Sequence, residues 1–169
     1  MCLMLWCHFQ VVVNTFWVSD PAPDRSHSLA LARNLTALRT AGEWSMRALA
    51  EQAHISEGML LHLEKARINP SLSTIEKLAQ ALGVETGSLF GKRPVARQAP
   101  EVFIETLLAQ NLVAARKRLN LTQEQLAQRS GISRPVIAHI ERQARNPSLE
   151  TLARLAEALD LSIEGLLTK

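Results

Sequence analysis

The sequence predicts an all-α protein made of two tandem copies of one five-helix domain. Three observations carry this. Leu and Ala dominate the apolar residues, aromatics are 4% of the chain and Tyr is absent, a mix that favours helices over sheets. Shifted by 77 positions, residues 34–90 fall on 111–167 without a gap. Residues 123–142, QEQLAQRSGISRPVIAHIER, hold two short helical patterns around a tight turn.

The repeat decides the domain organisation. Leu35 lands on Leu112, Arg39 on Arg116, Leu49 and Ala50 on Leu126 and Ala127, and His62 and Glu64 on His139 and Glu141. Asn69-Pro70-Ser71-Leu72 lands on Asn146-Pro147-Ser148-Leu149. Matches of polar and apolar residues alike mark two copies of one domain. The chain then divides into an apolar extension and linker (1–28), a first domain (29–91), a basic linker (92–103) and a second domain (104–169). Each copy has about 60 residues, near the lower size limit for folding alone, so contact between copies or with another chain is expected.

Residues 1–18 are apolar and rich in Trp, Phe, Val and Cys. They lack the positive n-region of a signal peptide, and His8, Gln10, Asn14 and Thr15 interrupt any membrane span. They read as an extension outside the folded domains or an upstream translation start, with an anchor or a dimerisation arm as alternatives. Residues 20–28, DPAPDRSHS, read as a polar linker. Helix one of the first copy is expected near 29–40, and that of the second over 104–119 with Leu107, Leu108, Leu112, Ala115 and Leu119 inward.

Helices two and three of the second copy form the motif at 123–142. Thr122 with Gln125 makes a capping box at the start of helix two. Gly131 stands at the turn, where a positive φ is easiest without a Cβ. Ser133 is placed to cap helix three, and Pro135 falls in its first turn, where a missing N–H does little harm. Leu126 and Ala127, then Val136, Ile137 and Ile140, face inward. This is a helix-turn-helix. Ser148 caps helix four, with Leu149, Leu152, Leu155, Ala156 and Leu159 inward, and Ser162 caps a short helix five. In the first copy His54 takes the place of the turn glycine, and helix five ends near Phe90.

At these residues both copies resemble the Cro/repressor-type, or XRE-like, helix-turn-helix family. The second shows LTQEQLAQRSGIS, VIAHIE and NPSLETLARLAEALDLSIEGLL, and the first ALAEQAHIS, LLHLEK and NPSLSTIEKLAQALGV. Together the matches cover about three quarters of the chain. The resemblance implies two lambda-repressor-like five-helix domains. It also implies DNA binding with helix three in the major groove, usually as a two-fold pair of domains.

A recognition helix must show polar groups at its exposed N-terminal end. In the second copy these are Ser133, Arg134 and, one turn later, Ala138 and His139. Arg134 can pair with guanine O6 and N7 in a bidentate contact. Gln123 starts helix two, where its side chain and the helix N-terminus can meet a phosphate. Arg145 and Asn146 follow helix three and can hold the backbone of the other strand. His139 can donate to a base or phosphate, although its repetition at His62 fits a shared structural role equally well. In the family an Arg of helix one pairs with a Glu closing helix three. Arg116 with Glu141 and Arg39 with Glu64 are therefore ion pairs first, with a secondary phosphate role for Arg116.

The first copy departs from the DNA-reading pattern. Met46 replaces the Gln of helix two, and after Ser56 come Glu57 and Gly58 where the second copy has Arg134 and Pro135. Glu57 is repelled by phosphates, though it can accept from cytosine N4. Charge follows the same asymmetry. Residues 29–91 hold six basic and six acidic residues, residues 104–169 nine and seven, and the linker 92–103 three and one. The whole chain has net charge +3 and a pI near 9.2. The linker and second copy thus offer the better surface for a polyanion.

The leading expectation is a sequence-specific, bacterial-type transcriptional regulator in the cytoplasm, bound to double-stranded DNA mainly through the second domain. Either one chain sets both copies on unlike half-sites, or a homodimer sets two second copies on a palindrome. The alternative is an antitoxin-like module that binds another protein through the same fold. No nucleophile–base pair, zinc-ligand spacing or Gly-rich phosphate loop is present, so neither an enzyme nor a bound metal or cofactor is expected. His139 and Glu141, two apart on a helix, do not share a face. The only cysteines, Cys2 and Cys7, lie outside both copies, which fits a reducing compartment.

Overall fold

The structure is a computed structural model that describes residues 26–93, 95–97 and 103–168. The expectations for residues 1–18 and for the linker residues 98–102 lie outside that set. Among the described residues the chain is helical, with two isolated bridges and no strand. No described helix is long and apolar enough to cross a membrane.

The first domain runs α1 (Ser26–Ala41), α2 (Met46–Gln52), α3 (Glu57–Glu64), α4 (Leu72–Leu82) and a 3-10 turn (Gly87–Leu89). The second runs α5 (Ile104–Arg118), α6 (Gln123–Ser130), α7 (Arg134–Glu141), α8 (Leu149–Ala158) and α9 (Ile163–Leu167). Side-chain caps start most of these helices. Ser45 accepts from the Ala48 N–H, Ser71 from Thr74, Ser148 from Thr151 and Ser162 from Gly165. The Thr122–Gln125 capping box forms in both directions, at 3.1 and 2.8 Å.

Three local expectations are corrected. α1 begins at Ser26, inside the stretch assigned to the linker. The fifth segment of the first domain is a three-residue 3-10 turn. The 77-residue shift puts Glu85 where Ser162 caps α9, and Thr86 turns its hydroxyl to Glu76, so no side chain caps that segment. Ser133 takes the N-cap position of α7 with no side-chain capping bond.

The repeat reaches the backbone. Glu43, His54, Ala66 and Gly83 have φ between 50° and 68°, and so do Asn120, Gln143 and Asp160 with Gly131, each pair related by the same shift. Each follows a helix end and turns the chain back, as where the Trp44 N–H reaches the Arg39 carbonyl (2.9 Å) and the Leu121 N–H that of Arg116 (3.0 Å). Ala66 occupies this region without a polar side chain, at a cost that glycine avoids. Ala66→Gly is expected to stabilise the protein by roughly 0.5–1 kcal/mol, read as a higher urea midpoint at constant m.

Each domain packs its own helices around buried leucines. Leu35, Leu49, Leu60, Leu63 and Leu78 form the centre of the first. Leu108, Leu112, Leu126, Ile137, Ile140, Leu152 and Leu155 form that of the second. The second core continues into the first domain through Leu31, Leu72, Ile75, Ala79, Val84 and Leu89, so an apolar seam joins the copies. The two domains are therefore not beads on a linker.

The seam carries an internal two-fold pairing. The Leu72 N–H donates to the Pro147 carbonyl and the Leu149 N–H to the Pro70 carbonyl, both at 2.8 Å. The Glu150 N–H donates to Asn69 Oδ1 (3.1 Å), and the Ser73 N–H to Asn146 Oδ1 (3.2 Å). Under the 77-residue shift each bond is the mate of the other. The copies face each other as the two subunits of an isologous dimer would.

Part of the linker straps onto the first domain. The Glu85 N–H donates to the Val95 carbonyl, and the Arg97 N–H to that of Gly83, both at 2.9 Å. Arg97 Nη2 then reaches Glu76 Oε1 at 2.6 Å, with both side chains largely shielded. Burial pushes the Glu76 carboxyl up, but hydrogen bonds from Arg97, Thr86 and Gln80 together outweigh it and hold it below its ordinary value of 4.5. Its contribution to stability is therefore complete above that value and is lost as the pH falls through the lower folded value. Glu76→Gln is expected to flatten this acid limb in urea unfolding at stepped pH. An unchanged limb would show that other carboxylates carry it.

Candidate nucleic-acid interface

The motif of the second domain is held from behind. Leu126 on α6 and Ile137 on α7 are fully buried, and Ile140 nearly so, which fixes the α6–α7 angle around Gly131. The outer face of α7 is thereby defined. Ser133, Arg134 and Pro135 are exposed at its N-terminal end, His139 one turn later, and Arg142, Gln143 and Arg145 beyond it, while Ala138 is half-buried. Arg134, His139 and Arg145 have no side-chain hydrogen bond or ion pair among the described residues. The Ser133 hydroxyl makes no capping bond. Polar groups left unspent at an exposed helix start are what a ligand can use.

A shielded ion pair seats the far end of α7. Arg116 gives Nε to Glu141 Oε1 (2.7 Å), Nη2 to Oε2 (3.1 Å) and Nη1 to the Leu121 carbonyl (2.9 Å). Gln123 Nε2 donates to the same Glu141 at 2.7 Å. The first domain repeats the fork, with Arg39 on Glu64 at 2.6 and 3.1 Å and on the Trp44 carbonyl at 3.2 Å. There Met46 stands in place of Gln123 and adds nothing polar. Arg116 is thus committed to tying helix one to helix three, and Gln123 shares that task.

The other sequence-assigned residues separate. Asn146 is drawn away from α7: its Nδ2 donates to Ser73 Oγ at 2.8 Å and its Oδ1 accepts from the Ser73 N–H, across the seam. The paired loops use one N–H and the oxygen of the exposed Asn146 amide, which turns this residue toward the seam. Ser56 caps α3 through the Met59 N–H at 3.1 Å. Glu57 and His62 are exposed on α3 and make no side-chain hydrogen bond or ion pair among the described residues. Arg97 is spent on Glu76, so Lys92 and Arg93 are the linker cations left exposed.

Sequence reasoning missed two features. Arg142 is exposed and folds back to the Ala138 carbonyl at 3.2 Å, adding a cation to the α7 face. Met59 and Leu61 are 39% and 41% exposed on α3, at the positions of Val136 and Ala138. The outer face of α3 is thus acidic and apolar where that of α7 is basic and polar. Among the described residues no group of three His, Cys, Asp or Glu side chains is placed to hold a metal.

Comparison with known proteins agrees with the geometry. The family described as "Helix-turn-helix" matches residues 112–166, and that described as "Helix-turn-helix domain" matches 30–90. The control protein C.SmaI of Serratia marcescens is 47% identical over 66 residues, 39% of this chain and 79% of that protein. The chain belongs to the XRE-like helix-turn-helix family. It carries two domains of this family of DNA-binding transcription regulators. The immunity repressor protein of Bacillus phage phi105 is 42% identical over 70 residues, 41% of this chain and 49% of the repressor. The antitoxin HigA1 of Mycobacterium tuberculosis is 40% identical over 53 residues, 31% of this chain and 36% of the antitoxin. The chain thus spans half or less of these last two proteins.

Proposed function

We propose that the protein is a sequence-specific transcriptional regulator that reads duplex DNA mainly through α7. The observation that carries this is the exposed, uncommitted group of Ser133, Arg134 and His139 on a helix whose other face is locked by Ile137 and Ile140. Arg134 reads a guanine in the major groove. The Ser133 hydroxyl and the Arg145 side chain take phosphates on either side. Gln123, held by Glu141, sets the start of α6 at the backbone, where the helix N-terminus favours an anion. Arg116 and Asn146 act indirectly, by fixing α7 and by joining the domains. The first domain contributes less affinity, because Glu57 opposes phosphates.

Selection of bound sequences from random duplex DNA tests this reading. The full-length protein is expected to enrich a motif containing at least one invariant G·C pair. No enrichment at low salt removes the proposal.

The exposed Met59 and Leu61 favour a second reading, in which α3 binds a protein partner as an antitoxin does. Met59→Ser with Leu61→Ser is then expected to abolish stable co-purification of one defined partner while leaving the selected DNA motif unchanged. A changed motif would instead assign both residues to DNA.

A further inference from the structure

We infer that one chain, not two, occupies an operator, and that this operator is a bipartite, non-palindromic duplex. The inference rests on the DNA-binding reading above and concerns how that site is assembled.

The surface that would pair two chains is already used within one. The backbone bonds between residues 70–72 and 147–149 and the amides of Asn69 and Asn146 are satisfied reciprocally by the other copy. A second chain would have to break both sets of bonds before offering equivalent ones.

A second contact makes the pairing selective for unlike copies. The 3-10 turn of the first domain lies against α9, the corresponding segment of the second. A Cβ on Gly87 would stand 2.7 Å from Thr168 Cγ2 and 3.1 Å from the Glu164 carbonyl oxygen. A Cβ on Gly91 would stand 2.5 Å from the Glu164 carboxylate. The 77-residue shift puts Glu164 at the position of Gly87 and Thr168 at that of Gly91. Two second domains brought together in this way would carry Glu164 where only a hydrogen fits. Two first domains would set glycine against glycine and leave the space of Glu164 and Thr168 empty. The interface is two-fold in its backbone and complementary only between first and second copies, which disfavours the like-with-like alternatives.

This pairing limits how far apart the two third helices can stand. Glu64 ends α3 and Glu141 ends α7, each six residues before the paired Pro70 or Pro147. At about 3.5 Å per residue, the two helix ends are at most about 50 Å apart, which admits adjacent half-sites at a spacing of ~34–36 Å. One half meets Ser133 and Arg134, and the other Ser56 and Glu57, so the halves differ in sequence.

The test is the mass of the complex of wild-type full-length protein with its selected duplex, by native mass spectrometry, together with the symmetry of the motif. One chain per duplex, two unlike half-sites and binding curves without protein-dimer coupling are expected. Gly87→Glu should weaken binding by about tenfold or more and shrink the motif to the α7 half, while Gly165→Ala, whose Cβ meets only ordinary contact, should leave both unchanged. Should Gly87→Glu misfold, the wild-type mass and motif decide alone. Two chains per duplex, or a palindromic motif, would overturn the inference and leave the DNA reading standing. The absence of any enriched duplex would remove both.

Discussion

Glu141→Ala is expected to destabilise the protein by about 3–5 kcal/mol, the cost of leaving a shielded charge without its partner. The Glu141 side chain is 8% exposed and that of Arg116 14%. Removing the carboxylate strands the guanidinium and the Gln123 amide together, since both donate to it. Glu64→Ala in the first domain is expected to cost less. It removes the same forked pair, but Met46 contributes no third donor and both side chains are somewhat more exposed, at 18% and 10%. Urea unfolding of the two variants gives the comparison directly. Equal losses would show that Gln123 adds nothing to the ion pair.

Arg134→Ala is expected to weaken binding to the selected duplex by about 1–3 kcal/mol, roughly 5- to 150-fold, and to relax preference at one base pair. The guanidinium is exposed and has no hydrogen-bond or ion-pair partner among the described residues. Folding stability should therefore change little, which separates this variant from Glu141→Ala. Arg145→Ala is expected to behave differently again, weakening all duplexes alike and lowering the salt slope by about one. If Arg134→Ala behaved like Arg145→Ala, the arginine would be a phosphate contact and base reading would lie elsewhere on α7.

Much of the local structure was legible because it is written in short-range patterns. Thr122 and Gln125 predict a capping box because their spacing lets each satisfy the other's backbone N–H, and it forms. Gly131 and His54 predict left-handed turns at matching positions, and both adopt them. The fork of Arg116 on Glu141 was expected from the family resemblance and is present in both copies. Side-chain commitments across longer distances were not legible. Ser133 looks like a helix cap in sequence, yet its hydroxyl makes no capping bond. Arg97 looks like a free linker cation, yet it is half-buried and paired with Glu76. Asn146 looks like part of the DNA-facing loop, yet the other domain takes its amide.

The sequence by itself determined that this protein is two helix-turn-helix domains and which side chains decorate each third helix. Helix periodicity, caps and an ungapped 77-residue repeat are local or self-referential signals, and they survive without knowledge of what packs on what. Only the tertiary structure decided how the copies meet. A self-complementary Asn-Pro-Ser-Leu segment can pair equally within a chain or between chains, because the backbone bonds are the same. The choice falls to close packing of Gly87 against Thr168 and the Glu164 backbone, where a larger side chain has no room without a shift.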